Sequence, residues 1–260
     1  MGKVIAVCTS DRKGLQKHDV NTAHFSAEWG IDGDAHAGSW HRQVSLLSAD
    51  KIEAFNKRGA NVIPGAFGEN LVVEGFDFRA LPVGTLLRCG DVLLEMTQIG
   101  KECHSHCEIY KKMGECIMPR EGVFARVIEP GSISVGDEMS IEKREGHFPW
   151  QAAVITLSDK AAAGERKDES GPAIAKRLRE ASYEVVEEIV IPDDELVLKQ
   201  QLIRLCDQRQ LDLILTTGGT GCSARDITPE ATIAIADKNV PGIAEAMRAE
   251  SLKITRHAMI

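Results

Sequence analysis

The feature that most constrains the fold is an apolar run, 211–215, followed by a glycine-rich loop, 216–221. A loop with few bulky side chains allows its backbone N–H groups to approach a ligand closely. Farther along, Thr228 is predicted to be a helix N-cap, with Pro229 as the first helical residue and Glu230 as a first-turn acid. A buried strand, a glycine loop and a capped helix in this order predict a site for an anionic, phosphorylated ligand.

Length and charge restrict the class of protein. The chain has 260 residues, 43% of them hydrophobic, and a formal net charge of −8. Both halves carry an acidic excess, which argues against a nucleic-acid partner. No stretch approaches the roughly 20 apolar residues of a membrane span, and the apolar stretch at the N-terminus is too short for a signal peptide. We therefore expect a cytoplasmic protein whose seven cysteines are reduced.

The first half is predicted to be mainly β, possibly a barrel, because it contains short β-like runs separated by turns. The clearest strands are 83–88, 92–99 and 123–128. One helix is predicted at 48–57, with Ser48 as its N-cap. A polar segment with Gly and Pro then predicts a linker at 144–150, between domains at 1–143 and 151–260.

The second half alternates strands and helices. Strands are predicted at 152–157, 185–191 and 211–217, with helices at 170–182 and 195–207 and from Pro229 and Pro241. This order predicts a three-layer α/β domain with a mostly parallel sheet.

The three predicted strands end in polar or turn-forming residues, and parallel sheets bind ligands beyond their carboxyl ends. Asp159, Asp193 and Asp226 would then face one pocket beside the glycine loop. Carboxylates suit such a place if Mg²⁺ bridges them to the phosphates of a nucleotide. The alternative is that each aspartate is only a cap or turn residue.

The second half resembles the molybdopterin adenylyltransferases. The matching strings are 157–159, 168–172, 191–193, 216–221, 225–230 and 241–242. The resemblance implies that the loop holds the molybdopterin phosphate, while Asp193 and Asp226 support transfer of AMP from ATP. The residues that it implies for binding are Ser158, Asp159, Ser170, Thr216, Thr217, Gly218, Gly219, Thr220, Gly221 and Thr228.

The same resemblance implies further strands and a Leu-Pro-Gly segment after the last residues of this chain. We therefore expect an incomplete C-terminal domain with an unpaired sheet edge, weaker pterin binding and uncertain catalysis. Relatives of this domain are often trimers, so a homotrimer is also expected.

A second constellation contains Cys103 and Cys107, with His104 and His106 between them and Cys116 nearby. A zinc site is one interpretation, but the spacing is poor and no Cys-x-x-Cys is present. Another is one functional thiolate whose pKa the histidines lower. The third is that the cysteines are small buried apolar residues.

Two further strings, 30–38 and 67–71, are rich in Gly, Asp and Asn, which is typical of turns. His36 and His41 could ligate a metal, but a role in a binding loop is favoured.

These strings, with others, resemble the MOSC family, the domain found at the C-terminus of molybdenum-cofactor sulfurases. The matches are 33–36, 41–42, 67–71, 81–84, 98–103 and 122–127. The resemblance implies a β-rich, barrel-like domain and a cysteine that carries sulfur as a persulfide or ligates molybdenum, tasks that suit a thiolate. Cys103 is the best match and Cys107 the alternative. Cofactor contacts are implied for His36, Arg42, Glu69 and Asn70, and pyridoxal phosphate binding is also associated with the family.

Both resemblances point to one pathway, molybdenum cofactor biosynthesis. The predicted ligands are molybdopterin or the molybdenum cofactor, ATP and Mg²⁺, and the predicted partners are other biosynthetic proteins or molybdoenzymes. Two alternatives remain open: a non-catalytic carrier of cofactor or sulfur, and a molybdenum-dependent reductase of N-hydroxylated compounds.

Overall fold

The computed structural model describes residues 1–103, 107–143 and 149–259. The chain divides into two compact units, Met1–His147 with Asp207–Gln210, and Phe148–Cys206 with Leu211–Ile260. Residues 144–148 of the predicted linker lie outside the described residues, so the domain boundaries stay a prediction. None of the helices among the described residues combines the length and the apolar composition that a membrane span requires.

The first unit contains eleven short strands and three helices among its described residues. The strands are β1 (Gly2–Thr9), β2 (His18–Asp19), β3 (Thr22–Ser26), β4 (Gly30–Ile31), β5 (Val44–Ser48), β6 (Leu71–Glu74), β7 (Leu86–Cys89), β8 (Val92–Ile99), β9 (Val123–Glu129), β10 (Gly131–Ser134) and β11 (Glu138–Glu142). The helices are α1 (Ala49–Lys57), α2 (Glu108–Met113) and α3 (Met118–Glu121), with a 3₁₀ turn at Phe78–Ala80.

Seven of these strands close into a barrel. Their order is β11-β7-β8-β9-β5-β6-β1, and β1 pairs back onto β11. Alternate residues of each strand point to opposite faces, so Val44, Leu46 and Leu94 fill the interior. Leu47 of β5 instead packs outside, against Phe55 of α1. The predicted barrel-like β domain is confirmed.

The predicted N-cap position of α1 is confirmed, but the side chain there has a different hydrogen-bond partner from a usual cap. Ser48 lies at the N-cap position of α1, but its side chain makes no capping hydrogen bond. Its hydroxyl instead donates to the carbonyl of Phe76. Because Ser48 is buried, its hydroxyl needs a partner, and this carbonyl supplies one.

The second unit contains three strands and five helices among its described residues. They are β12 (Gln151–Leu157), α4 (Asp159–Ala162), α5 (Ser170–Glu180), β13 (Glu184–Ile191), α6 (Glu195–Ile203), β14 (Leu213–Thr217), α7 (Thr228–Ile233) and α8 (Pro241–Leu252). A π-helical turn, Arg204–Gln208, follows α6, and a 3₁₀ turn, Arg256–Met259, follows α8.

The three strands form a parallel sheet in the order β13-β12-β14. Ala153 and Ile155 of the central strand pack on the side of α6 and α7. Val154 packs on the other side, with Ala175 and Leu178 of α5. Helices therefore cover both faces, and the predicted three-layer α/β fold is confirmed. Of the described strands, only β12 pairs with β14.

Candidate functional site

The carboxyl ends of the three parallel strands meet at one edge of the sheet. Leu157, the last residue of β12, is opposite Ile191, the last residue of β13. Thr156 is opposite Thr217, the last residue of β14. The three loops that follow these strands therefore start side by side, as the sequence predicted.

Asp159 and Asp193 are tied to each other by two reciprocal hydrogen bonds. The backbone N–H of Asp159 donates to Asp193 Oδ2, and the backbone N–H of Asp193 donates to Asp159 Oδ1, both at 3.0 Å. Each carboxylate thus fixes the other loop. The pKa of Asp159 lies below its ordinary value because Arg225 and the N–H of Asp193 donate to its carboxylate.

Ser158 is buried at the start of this edge and caps α4. Its Oγ accepts hydrogen bonds from the N–H of Ala161 at 3.2 Å and from Arg166 Nη2 at 3.1 Å. Arg166 therefore brings a cation to the site. Arg166 was not predicted, because it lies in the charged run 165–169, which is also typical of a solvated loop.

The glycine loop is packed against the strand end too closely for side chains. A Cβ on Gly218 would lie 2.1 Å from the Leu157 carbonyl oxygen. A Cβ on Gly219 would lie 2.6 Å from Thr228 Oγ1 and 3.3 Å from Asp193 Oδ1. Both glycines have positive φ, +86° and +58°, which also disfavours other residues. The loop therefore reaches Asp193 through bare backbone.

Thr228 has a different role from the one predicted. It is the first residue of α7, the N-cap position is Ile227, and no side chain caps the helix. Thr228 Oγ1 donates to the carbonyl of Gly218 at 2.8 Å, and its N–H donates to the carbonyl of Gly219 at 3.0 Å. The N-cap prediction is wrong, since the hydroxyl instead ties the glycine loop to α7.

Asp226 stabilises the turn that follows the glycine loop. Its Oδ2 accepts the N–H of Ser223 at 2.8 Å. Hydrogen bonds from Ser223, through its side chain and backbone, and from the N–H of Gly221 lower the pKa of Asp226. The side chain therefore carries a negative charge at neutral pH.

Ser170 lies at the start of α5, where Asp168 organises the chain. Asp168 Oδ1 accepts the N–H and the hydroxyl of Ser170 at 3.0 and 3.1 Å, and Oδ2 accepts Thr156 Oγ1 at 2.8 Å. Burial raises the pKa of Asp168, but hydrogen bonds from Thr156, Gly171 and Ser170 outweigh it and leave the pKa low. Asp168 fixes α5 to β12, a role that was not predicted.

The remaining predicted binding residues of this unit lie along the same loop. Thr216 and Thr217 end β14 and are half-buried, whereas Thr220 and Gly221 are exposed. A direct contact of any of them with a ligand stays a prediction.

In the first unit, the string 30–38 is held by a buried ion pair. Lys17 Nζ lies 3.0 Å from Asp34 Oδ2, and both side chains are almost completely buried. Burial favours the neutral form of Asp34, but His36 and Lys17 outweigh it and hold the pKa of Asp34 well below its usual range. Burial is the main cause that lowers the pKa of Lys17. Lys17 was not predicted, because a single lysine in a polar stretch carries no distinctive signal.

Glu69 and Asn70 lie in the same buried network. Asn70 Nδ2 donates to Asp34 Oδ2 at 3.1 Å. Glu69 accepts the N–H groups of Gly65 and Phe67 at 2.7 and 3.0 Å. Burial raises the pKa of Glu69 despite these bonds. Both side chains are buried and hold the loops in place, and contact with a cofactor stays a prediction.

His36, His41 and Arg42 are partly exposed near this network. The N–H of His36 donates to Asp34 Oδ1 at 2.9 Å. His41 Nε2 lies 2.8 Å from Gln98 Oε1, close to the end of β8. The guanidinium of Arg42 lies 4.7 Å from the ring centroid of Trp40, a cation–π distance. The three side chains are thus only partly open to solvent.

Cys103 and Cys107 are exposed, and Cys116 is half-buried. Burial is the main cause that raises the pKa of Cys116, and the charges of Cys107 and Cys103 raise it further. His104 and His106, which were predicted to lower a thiol pKa, lie outside the described residues. Among the described residues, no group of three or more His, Cys, Asp or Glu side chains is placed to hold a metal.

Two family models cover most of the chain. Residues 33–140 match the MOSC domain. Residues 153–260 match the family described as a probable molybdopterin binding domain. The chain joins a MOSC domain to a molybdopterin-binding domain. Both resemblances drawn from the sequence are confirmed.

Known proteins are similar to parts of the chain. The molybdopterin adenylyltransferase of Escherichia coli K12 is 39% identical over 110 residues, which cover 41% of this chain and 56% of the relative. The chain thus spans about half the length of this curated relative. The molybdopterin biosynthesis enzyme MoaB of Thermus thermophilus is 42% identical, with a TM-score of 0.40, covering 42% of this chain and 69% of MoaB. The YUAD protein of Bacillus subtilis is 20% identical, with a TM-score of 0.48, covering 56% of this chain and 98% of YUAD.

Proposed function

We propose that the chain acts in molybdenum cofactor biosynthesis and that its molybdopterin-binding domain transfers AMP from ATP to molybdopterin. The observation that carries this proposal is the reciprocal link between Asp159 and Asp193, beside a loop in which Gly218 and Gly219 have no room for a Cβ. This link holds the two acidic loop ends beside a stretch of backbone whose N–H groups can bind phosphate. Relatives named for this reaction match the same half of the chain.

In the proposed reaction, an oxygen of the molybdopterin phosphate attacks the α-phosphorus of ATP. A new phosphorus–oxygen bond forms, the bond between the α- and β-phosphates breaks, and pyrophosphate leaves. Backbone N–H groups of Gly218 and Gly219 hold the pterin phosphate. Thr228 keeps those groups in place through its bonds to both glycine carbonyls.

Asp193 and Asp226 are the residues that would hold Mg²⁺. The donor set fits, because Mg²⁺ usually binds through one or two carboxylates and the phosphates of the substrate. The carboxylate of Asp193 lies beside Gly219 of the loop, and the carboxylate of Asp226 lies beside Gly221. When bound, the ion would neutralise charge on the nucleotide phosphates. The low pKa of Asp226 keeps this ligand ionised.

Replacing Gly219 with alanine tests the loop. The new Cβ would collide with Thr228 Oγ1 and approach Asp193, and the positive φ adds strain of about 1–3 kcal/mol. We expect a lower midpoint of thermal unfolding and at least tenfold weaker molybdopterin binding by fluorescence titration, about 1.4 kcal/mol. Gly164→Ala is the control, because Gly164 also has a positive φ, +76°, but has no atom within 4 Å of its Cβ position. Equal pterin binding by the two variants would contradict this account of the loop.

The exposure of Cys103 and Cys107 favours a second candidate function, a carrier that passes sulfur or finished cofactor through the MOSC domain. A thiolate there can hold a persulfide or ligate molybdenum. A role of Cys103 in a reductase of N-hydroxylated compounds stays a prediction. Pyridoxal phosphate binding, a trimer and a cytoplasmic location stay predictions.

Replacing Cys103 with serine should distinguish the two candidates. If the chain is a carrier, this change should remove most of the protein-bound persulfide or molybdenum. The serine oxygen is a harder ligand than a thiolate and cannot carry a persulfide. In the adenylyltransferase, it should leave AMP transfer unchanged. Persulfide labelling and metal analysis measure the first outcome. Cys107→Ser is the matched control, and a larger loss in that variant would reassign the functional thiol to Cys107.

A further inference from the structure

Arg225 connects the two sides of the site through one ion pair. Its Nη2 donates to Asp159 Oδ2. Asp159 follows β12, whereas Arg225 lies in the segment between the glycine loop and α7. The two side chains are 64% and 48% exposed, so the pair crosses the rim of the site in contact with solvent.

The surroundings of Arg225 are acidic. Its guanidinium pKa is raised first by the hydrogen bond to Asp159 and further by the charges of Asp159, Asp193 and Asp194. Each carboxylate oxygen of Asp159 accepts a hydrogen bond: Oδ1 accepts the N–H of Asp193, and Oδ2 accepts Arg225. A cation thus lies directly beside acids at an edge proposed to receive phosphate.

Ligand binding would change the partner of this cation. An exposed ion pair is weak, because water screens it and both side chains lose freedom. A phosphate offers a guanidinium two parallel charge-assisted hydrogen bonds, which are stronger than a single exposed contact. A phosphorylated ligand can therefore compete with Asp159 for Arg225.

We propose that Arg225 is the phosphate-recognising side chain of this edge, and that its ion pair with Asp159 is a strap that a phosphate displaces. The inference rests on the proposed function for the identity of the phosphate, on the pterin or on the nucleotide. Displacement frees Asp159 Oδ2 beside Asp193, while Oδ1 still holds the N–H of Asp193. Anion binding and the exposure of a second carboxylate oxygen are thereby coupled.

The experiment measures binding of inorganic pyrophosphate to the full chain by isothermal titration calorimetry. Arg225→Ala should weaken binding about tenfold or more, since a hydrogen bond to a charged group is lost. The pyrophosphate affinity of Arg225→Lys should lie between those of this variant and the unchanged chain. Lysine keeps the positive charge but lacks the two parallel donors of the guanidinium. Asp159→Asn should instead tighten binding severalfold, because it removes the competitor.

Two control variants distinguish the loss of the Arg225–Asp159 ion pair from the loss of any nearby negative charge and of any exposed cation. Asp194→Asn removes a nearby charge that does not bond to Arg225 and keeps an acceptor for the N–H of Val197, so it should tighten binding less than Asp159→Asn. Arg177→Ala removes a cation that is 86% exposed on α5 and should leave binding unchanged.

Weaker binding in Asp159→Asn, to the same degree as in Arg225→Ala, would overturn the strap and indicate a purely structural pair. Unchanged binding in Arg225→Ala would overturn the phosphate role. The expected order of pyrophosphate affinities among the variants does not depend on catalysis. If the variants show this order but the chain does not transfer AMP, only the proposed function is refuted.

Discussion

Replacing Lys17 with methionine is expected to destabilise the barrel unit by about 3–5 kcal/mol, the typical cost of breaking a buried ion pair. Methionine fills much of the space but leaves Asp34 as a buried carboxylate without its cation. Asp34 also accepts hydrogen bonds from N–H groups of Ser10, His36 and Asn70. The loss of Lys17 should therefore weaken the whole network that joins segments 30–38 and 67–71.

Urea unfolding followed by hydrogen-exchange mass spectrometry measures this effect, because peptides of the barrel and of the parallel sheet are read separately. Lys57→Met is the matched control: Lys57 also pairs with a carboxylate, Glu53 at 2.7 Å, but it is 73% exposed. Its loss should cost far less than the loss of Lys17, because water screens an exposed ion pair. A similar small cost for Lys17→Met would show that the buried pair does not hold the loops.

Replacing Asp226 with asparagine is expected to lower the rate of AMP transfer by on the order of 100-fold or more, as is typical when a group that stabilises charge in the transition state is lost. Asparagine keeps an oxygen that can accept the N–H of Ser223, so the turn should survive. It lacks the negative charge that would hold Mg²⁺. Molybdopterin affinity should therefore change by less than about threefold.

Mass spectrometry of adenylylated molybdopterin measures the rate, and fluorescence titration measures the affinity. Asp212→Asn is the control, because Asp212 accepts the N–H of Gln151 at the opposite edge of the same sheet. Its AMP transfer should match that of the unchanged chain. Equal rates in Asp226→Asn and Asp212→Asn would remove Asp226 from the reaction and favour the carrier.

The parallel sheet and the loops at its carboxyl ends were predictable, because the apolar runs and turn residues along the chain coincide with the observed strands and loops. The strand predicted at 152–157 is observed as Gln151–Leu157, and its neighbour at 185–191 as Glu184–Ile191. Parallel pairing then forces the loops after these strands together. The approach of Asp159 to Asp193 follows from this topology, so it could be expected without coordinates.

Hydroxyl and charge partners were less predictable because they depend on contacts distant in sequence. Ser48 and Thr228 both occur where an N-cap is expected, yet their hydroxyls donate to the carbonyls of Phe76 and Gly218. Lys17 and Asp34 are 17 positions apart, and a sequence pattern cannot show that folding buries both. Helix propensity describes neighbours along the chain, whereas burial decides which partner a polar group must find.

We propose that the loops after β12, β13 and β14 form a site for a phosphorylated pterin. Native mass spectrometry of the full chain mixed with molybdopterin tests it most directly, with Gly219→Ala as the comparison. We predict one pterin bound to each unchanged chain and strongly reduced occupancy in the variant. An unchanged chain without bound pterin, or equal occupancy in both proteins, would contradict the claim.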